Sequence, residues 1–490
     1  MKKIKASAIG MTGKKQCRIL GKNIRKVSFE HPFLNGNMLV IGAERTFKKT
    51  TLMYPNILQM ESTYVILDVN GCTQRKFGKA FLDAGYCVRS LNLKEPEKSD
   101  RYNPFVYIET EDDLIRQVKV LQNYVRPMQS MNAAEPFWED GVRLYLQALF
   151  YYEWLDSREN NRVGSMNGIV RLVNLENQHI NENTTRLQQL MDKKAAVYGE
   201  DYPPVRDYRK LKESAPDTVR SIFIMVNAML TLCETAEMRR IFSGNDIDIR
   251  ALGTGVGGDP ERKTILFLVI PDNNNVYNFL ISMFYTQMFD ILVRLSEELH
   301  APLPCHVEVW MDQFYMVRPI DAGRLMAVNK GRNISMIPVV RSFSQLKTIC
   351  EEDGWSIPLF EDCMEVIVYF GCPFKDQETS FYISEKTGGQ TIQRIEQDGR
   401  KKGMAQKLRT IVAGKENFKA AGQKRFRCPL LETGKTNQTP ITDCMIFLKG
   451  QNPIYAKKAI PFDIPECGYK ASGKWKTCYQ EACGKGSEDT

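Results

Sequence analysis

Apolar residues along this chain gather into short, unbroken runs separated by longer stretches of mixed polarity. Six runs stand out, at 38–42, 64–68, 264–270, 307–312, 335–339 and 365–370. Most are continuous rather than alternating, the pattern of parallel strands covered by helices on both sheet faces. Helical spacing falls between many of them, for example over 276–299. Together they predict an α/β core with a mostly parallel sheet.

The middle of the chain differs. From about 110 to 235 strand signals almost vanish. The run "FWEDGVRLYLQALFYYEWL" (137–155) sets Val142, Tyr145, Leu146 and Leu149 on one helical face. "APDTVRSIFIMVNAMLTL" (215–232) opens with Pro216 and Asp217, good first-turn residues, before turning apolar. The pattern divides the chain into a tail (1–16), a first core segment (17–109), an all-α insertion (110–235), a second core segment (236–427), a terminal strand region (428–465) and a tail expected to fray (466–490).

Composition narrows this picture little. A chain of 490 residues is long enough for two or three domains. No run of unbroken apolar residues approaches the roughly 18–20 needed to span a bilayer, and no apolar segment follows Met1-Lys2-Lys3. The expectation is a soluble, cytoplasmic chain that meets a membrane's inner face only through partners. Thirteen scattered cysteines suit reduced thiols, and Cys467, Cys478 and Cys483 match no zinc module. The four histidines share no metal-ligand spacing, so no metal site is expected.

Charge is more informative. The net +9 concentrates in "GRKKGMAQKLRTIVAGKENFKAAGQKRFR" (399–427), where Glu416 is the single acid. Lys401, Lys402, Lys407, Arg409, Lys424, Arg425 and Arg427 are the candidate contacts to a polyanion such as single-stranded DNA. A solvated helical face explains the stretch equally well. No base-reading signature is present, so any nucleic-acid contact would be to backbone phosphate.

The candidate chemistry begins at "MLVIGAERTFKKTTLMYPN" (38–56). It has the outline of a strand–GxxxxGK[ST]–helix phosphate loop. Gly42 and Lys48 stand at the required separation, but Phe47 replaces the second glycine and Lys49 the magnesium-binding hydroxyl. Sliding the frame makes Lys49–Thr50 the lysine–threonine pair in a loop one residue too long. The partner such a loop needs is an apolar strand ending in an acid that orders magnesium. "VEVWMDQF" (307–314) supplies Asp312, followed by Gln313, which is no base at neutral pH.

The chain resembles the conjugative coupling proteins of type IV secretion, the TraG/TraD-type DNA-transfer ATPases, and particularly those of Gram-positive integrative elements. The resemblance is collinear from about Cys17 to Pro461, and "DRYNPF" (100–105), "EPFWE" (135–139) and "VIPDN" (269–273) are its most specific stretches. It implies a RecA-like P-loop NTPase core interrupted by an all-helical domain. It also implies hexameric assembly, contact with relaxosome and type IV secretion components, and ATP with magnesium as cofactor. The departures fall on the nucleotide-facing elements. Arg45 and Phe47 replace loop glycines, Lys49 the hydroxyl residue, Asp68-Val69-Asn70-Gly71 a strand-end DPKG, Asp312-Gln313 an acidic pair, and Arg341 a glutamine. No counterpart of the family's N-terminal membrane helices is visible.

These departures favour a non-catalytic or weakly nucleotide-binding homologue that acts in recruitment, alone or with an intact coupling-protein paralogue. In it Lys48 and Lys49 would pair with Glu44, Asp68 or Asp312. Two alternatives stay open: an active ATP-driven DNA motor using Lys48 and Asp312, and an ATP-independent nucleic-acid-binding accessory protein.

Overall fold

In the computed structural model, the described residues are 17–27, 36–125, 136–181, 184–372, 376–395, 423–429 and 439–460, together with 431 and 436. Lys401, Lys402, Lys407, Arg409 and the cysteines at 467, 478 and 483 lie outside them. So do both tails.

The apolar runs become neighbouring strands of one nine-stranded sheet. In chain order these are β1 (Met38–Ile41), β2 (Thr63–Val69), β3 (Cys87–Asn92), β4 (Thr264–Ile270), β5 (Val307–Met311), β6 (Ile334–Val340), β7 (Val366–Tyr369), β8 (Asp443–Leu448) and β9 (Ile454–Lys457). Their spatial order is β9-β8-β7-β1-β6-β5-β2-β4-β3. All pairings from β7 to β3 are parallel, and β8 and β9 add an antiparallel edge.

The continuous apolar runs reflect burial on both faces. Leu39, Ile41, Val65 and Leu67 point into one core, together with Leu146, Leu149 and Phe284. Met38, Val40, Tyr64 and Ile66 point into the other, against Leu52, Phe77 and Phe81. Each such side chain contributes roughly 1.5–3 kcal/mol by leaving water. The strand β3 is short of this pattern, since its first three residues are only half-buried. Its free edge is covered by a loop, where Asp100 accepts from the Ser90 N–H at 2.6 Å and Ser99 Oγ accepts from the Asn92 N–H at 2.9 Å.

Between β3 and β4 the chain is mainly helical. Its longest helix, Pro136–Glu159, buries Val142, Tyr145, Leu146 and Leu149 as the spacing predicts. The helix Pro216–Leu230 starts with proline in its first turn and Asp217 beside it. Glu153 is fully buried and is neutralised by Arg162 at 2.7 Å and by the Ser165 N–H at 3.1 Å. Among the described residues, the helix Asn278–Glu298 is long and apolar enough to cross a bilayer. However, 83% of its most apolar window is buried inside the fold, so it serves as the central core helix.

The end of the sheet away from the strand C-termini holds a buried polar cluster. His306 bonds Ser62 Oγ at 2.7 Å and Ser335 Oγ at 2.8 Å. Burial, with a smaller push from Arg18, lowers its pKa to about 3. An unfolded chain takes up this proton near pH 6.5, whereas the folded ring stays neutral down to about 3. Stability should therefore fall as pH drops through that window, by an amount on the order of 5 kcal/mol for this group. Urea midpoints measured from pH 7.5 downwards check this, and His306→Gln should flatten the slope.

Candidate nucleotide-loop site

Four segments distant in sequence meet at the C-terminal ends of β1, β6, β5 and β2, where open α/β sheets carry their ligand crevices. They are the loop after β1, Arg341 after β6, Asp312 and Gln313 after β5, and Asp68 near the end of β2.

The loop leaves β1 at Gly42, whose N–H donates to Val340 O at 3.0 Å. A Cβ at Gly42 would lie 2.8 Å from the Phe370 Cβ, so only glycine fits there without displacement. Arg45 and Phe47 both adopt left-handed backbone, with φ of 61° and 60°. These are the positions where the resemblance places glycine. The loop thus keeps a glycine-type path with side chains that oppose it, at a cost of order 1–3 kcal/mol each. Thr46 Oγ1 donates to Ala43 O at 2.8 Å and closes the turn.

The two lysines take different places. Lys48 folds back on the loop and donates to Gly42 O at 2.5 Å and Ala43 O at 2.7 Å. Burial pulls its pKa down to about 8, against the opposing charge of Asp312. Lys49 instead reaches β5 and pairs with Asp312 Oδ2 at 2.9 Å. Burial disfavours this ammonium as well, yet the charge and hydrogen bond of Asp312 outweigh it and raise its pKa above the ordinary lysine value. Thr50 lies half-buried in the π turn Lys49–Met53 that opens the following helix. The ammonium on the loop is therefore that of Lys48, and the shifted frame is not the one adopted.

Asp68 is engaged elsewhere. Its carboxylate accepts from the Thr73 N–H at 2.8 Å and the Gln74 N–H at 2.9 Å, capping the helix Cys72–Asp83. It reaches the site through its charge, which favours the Lys49 ammonium. Arg341 pairs with Glu44 at 2.9 Å, an exposed contact worth about 0–1 kcal/mol. Gln313 also has left-handed backbone, with φ of 59°. Gln313 and Arg341 line a cleft of about 760 Å³ between the strand ends and the helical segment, whose Tyr124, Met225 and Met229 form the facing wall.

Sequence reasoning missed Lys458. It is buried just beyond β9, donates to Thr46 O at 3.0 Å and Ile441 O at 2.7 Å, and lies over the Phe370 ring. The available signal was alternation: Ala456 faces in and Lys457 faces out, which turns Lys458 inward. Of the candidate nucleic-acid contacts, Lys424, Arg425 and Arg427 belong to the strand Gln423–Pro429, paired antiparallel with Gly389–Ile395.

Magnesium does not fit these residues as placed. The hydroxyl position is a lysine, and its ammonium holds the carboxylate that would order the ion. A divalent ion about 4 Å from that ammonium would be repelled by roughly 8 kcal/mol at an effective dielectric near 20.

A glycine-path loop, a lysine folded over it and an acid-tipped strand two places away on a mostly parallel sheet define a RecA-like P-loop NTPase fold. The sequence model for conjugative DNA transfer by the type IV secretory system matches residues 3–482, and the chain belongs to that family as a coupling-protein homologue. Among solved structures, a bacterial conjugative coupling protein, TrwBΔN70 in its unbound form, matches with a TM-score of 0.60 at 14% identity. The match covers 92% of this chain and 89% of that one. The plasmid coupling protein TrwB in complex with ADP and Mg²⁺ matches with a TM-score of 0.60 at 15% identity, over 89% and 87% of the two chains. TrwB with a non-hydrolysable ATP analogue gives a TM-score of 0.57 at 14% identity, over the same shares. At these identities the likeness is one of fold. No curated protein matches the sequence.

Proposed function

We propose that this chain serves conjugative DNA transfer as a non-hydrolysing coupling-protein homologue. Its helical segment over 110–235 recruits a relaxosome or other type IV secretion component. Its core keeps the subunit contacts of an oligomer, with copies of itself or with an intact paralogue, and partners hold it at the inner face of the membrane. Single-stranded DNA meets the basic 399–427 stretch. Nucleotide, where it binds, binds weakly and is not turned over.

The observation that carries this reading is the Lys49–Asp312 ion pair, 2.9 Å long and largely shielded, with side-chain exposures of 30% and 15%. It occupies the acid that hydrolysis needs for its metal. Gln313 beside it has no proton-accepting group at neutral pH. Steady-state phosphate release from magnesium-ATP, with and without single-stranded DNA, tests the reading. Turnover below about 10⁻³ per second supports it, and turnover near the ~1 per second of working enzymes overturns it.

A further inference from the structure

Lys48, Lys49, Lys458 and Arg341 converge on the loop, facing Glu44, Asp68 and Asp312, which leaves a surplus of positive charge. Three of the four cations hold the loop itself: Lys48 and Lys458 bond its carbonyls, and Arg341 pairs with its glutamate. Lys49 instead carries its charge from the loop side to the acid at the end of β5. Tyr285, fully buried and within reach of the Asp312 charge, has a hydroxyl with no partner among the described residues. Lys49 is thus the counter-ion that Asp312 has among the described residues.

We propose that Lys49 is a built-in cation, so that this site takes nucleoside polyphosphates in their metal-free form. The inference rests on the non-hydrolysing reading above and extends it to the form of the ligand. In a metal-dependent site the ion arrives with the nucleotide and joins hydroxyl, carboxylate and phosphate. Here the ammonium is tethered and already paired, and among the described residues its remaining N–H groups have no further bond and can meet phosphate oxygen. Bound magnesium would offset ligand charge that the site is built to receive, and would compete with Lys49 for Asp312. Free ATP or ADP, with more negative charge than its magnesium complex, is the better match to the surplus of lysine and arginine.

The test is calorimetric titration of the full chain with ADP and with ATP, each in excess EDTA and in excess magnesium. The natural chain should bind at least as tightly in EDTA as in magnesium. Lys49→Thr should reverse the order, losing about tenfold or more in EDTA and recovering in magnesium. Lys49→Met, which keeps the stem and removes the charge, should lose binding in EDTA without that recovery. Unchanged melting of both variants guards against misfolding. Binding by the natural chain only in magnesium, or in neither condition, overturns the inference and leaves the non-hydrolysing reading standing. Magnesium-dependent phosphate release overturns that reading, and overturns the inference too where EDTA abolishes binding.

Discussion

The triple variant Phe47→Gly, Lys49→Thr, Gln313→Glu is expected to release phosphate from magnesium-ATP at least about 10⁴-fold faster than the natural chain. Each change addresses a separate deficit. Phe47 already has a φ of 60°, so glycine relieves an opposed conformation and opens the loop without altering its path. Threonine at 49 supplies the missing hydroxyl and frees Asp312 from its 2.9 Å ion pair. Glutamate at 313 restores a carboxylate beside it. Losing one preorganised group commonly costs about 2–4 kcal/mol of transition-state stabilisation, and three at the lower figure amount to roughly four orders of magnitude. A phosphate-release assay against the natural chain reads the difference. A folded triple variant that stays inert would place the deficit outside these three residues.

Arg18→Ala is expected to destabilise the chain by about 3–5 kcal/mol, the usual cost of breaking a buried ion pair from one side. Arg18 lies in the strand Cys17–Gly21, outside the main sheet, and its guanidinium contacts Glu308 of β5 at 2.9 Å. The two side chains are 2% and 7% exposed. Glu308 also accepts from Trp310 Nε1 at 2.6 Å, and Arg18 donates to Gly36 O. Alanine would strand a buried carboxylate in the middle of the sheet, among apolar neighbours such as Val307, Val309 and Ile66. Urea unfolding measures the loss. The double variant Arg18→Met, Glu308→Gln should recover much of it, because the cost lies mainly in the charge left unpaired.

The fold was largely legible because burial on both faces writes itself into local composition. Val65 and Tyr64 face different cores, yet both had to be apolar, so β2 reads as an unbroken run. The same holds for β1, β4 and β7. The edge strand β3 did not announce itself, since "CVRSLN" carries an arginine and a serine where a central strand would carry valine or leucine. The helix Asn278–Glu298 was legible as a helix, but nothing local says that its apolar residues pack against the sheet and not against lipid.

For the site, the sequence by itself determined which residues are present: Gly42 and Lys48 at the spacing of a phosphate loop, lost glycines at 45 and 47, a lysine for a hydroxyl at 49, and Asp312-Gln313 after a buried strand. It did not determine which lysine meets which partner. Lys48 and Lys49 are adjacent and chemically identical, and Glu44, Asp68 and Asp312 were equally open as counter-ions. The sheet decided between them. By setting β5 two places from β1 it brought Asp312 to Lys49, while the helix after β2 drew the Asp68 carboxylate to its own N–H groups. The returning antiparallel edge delivered Lys458 to a loop more than 400 residues away. Short-range pattern records whether a residue is buried, because burial acts on each side chain alone. Pairing of charges depends on distances of a few ångströms between segments far apart in the chain, and only the folded sheet fixes those.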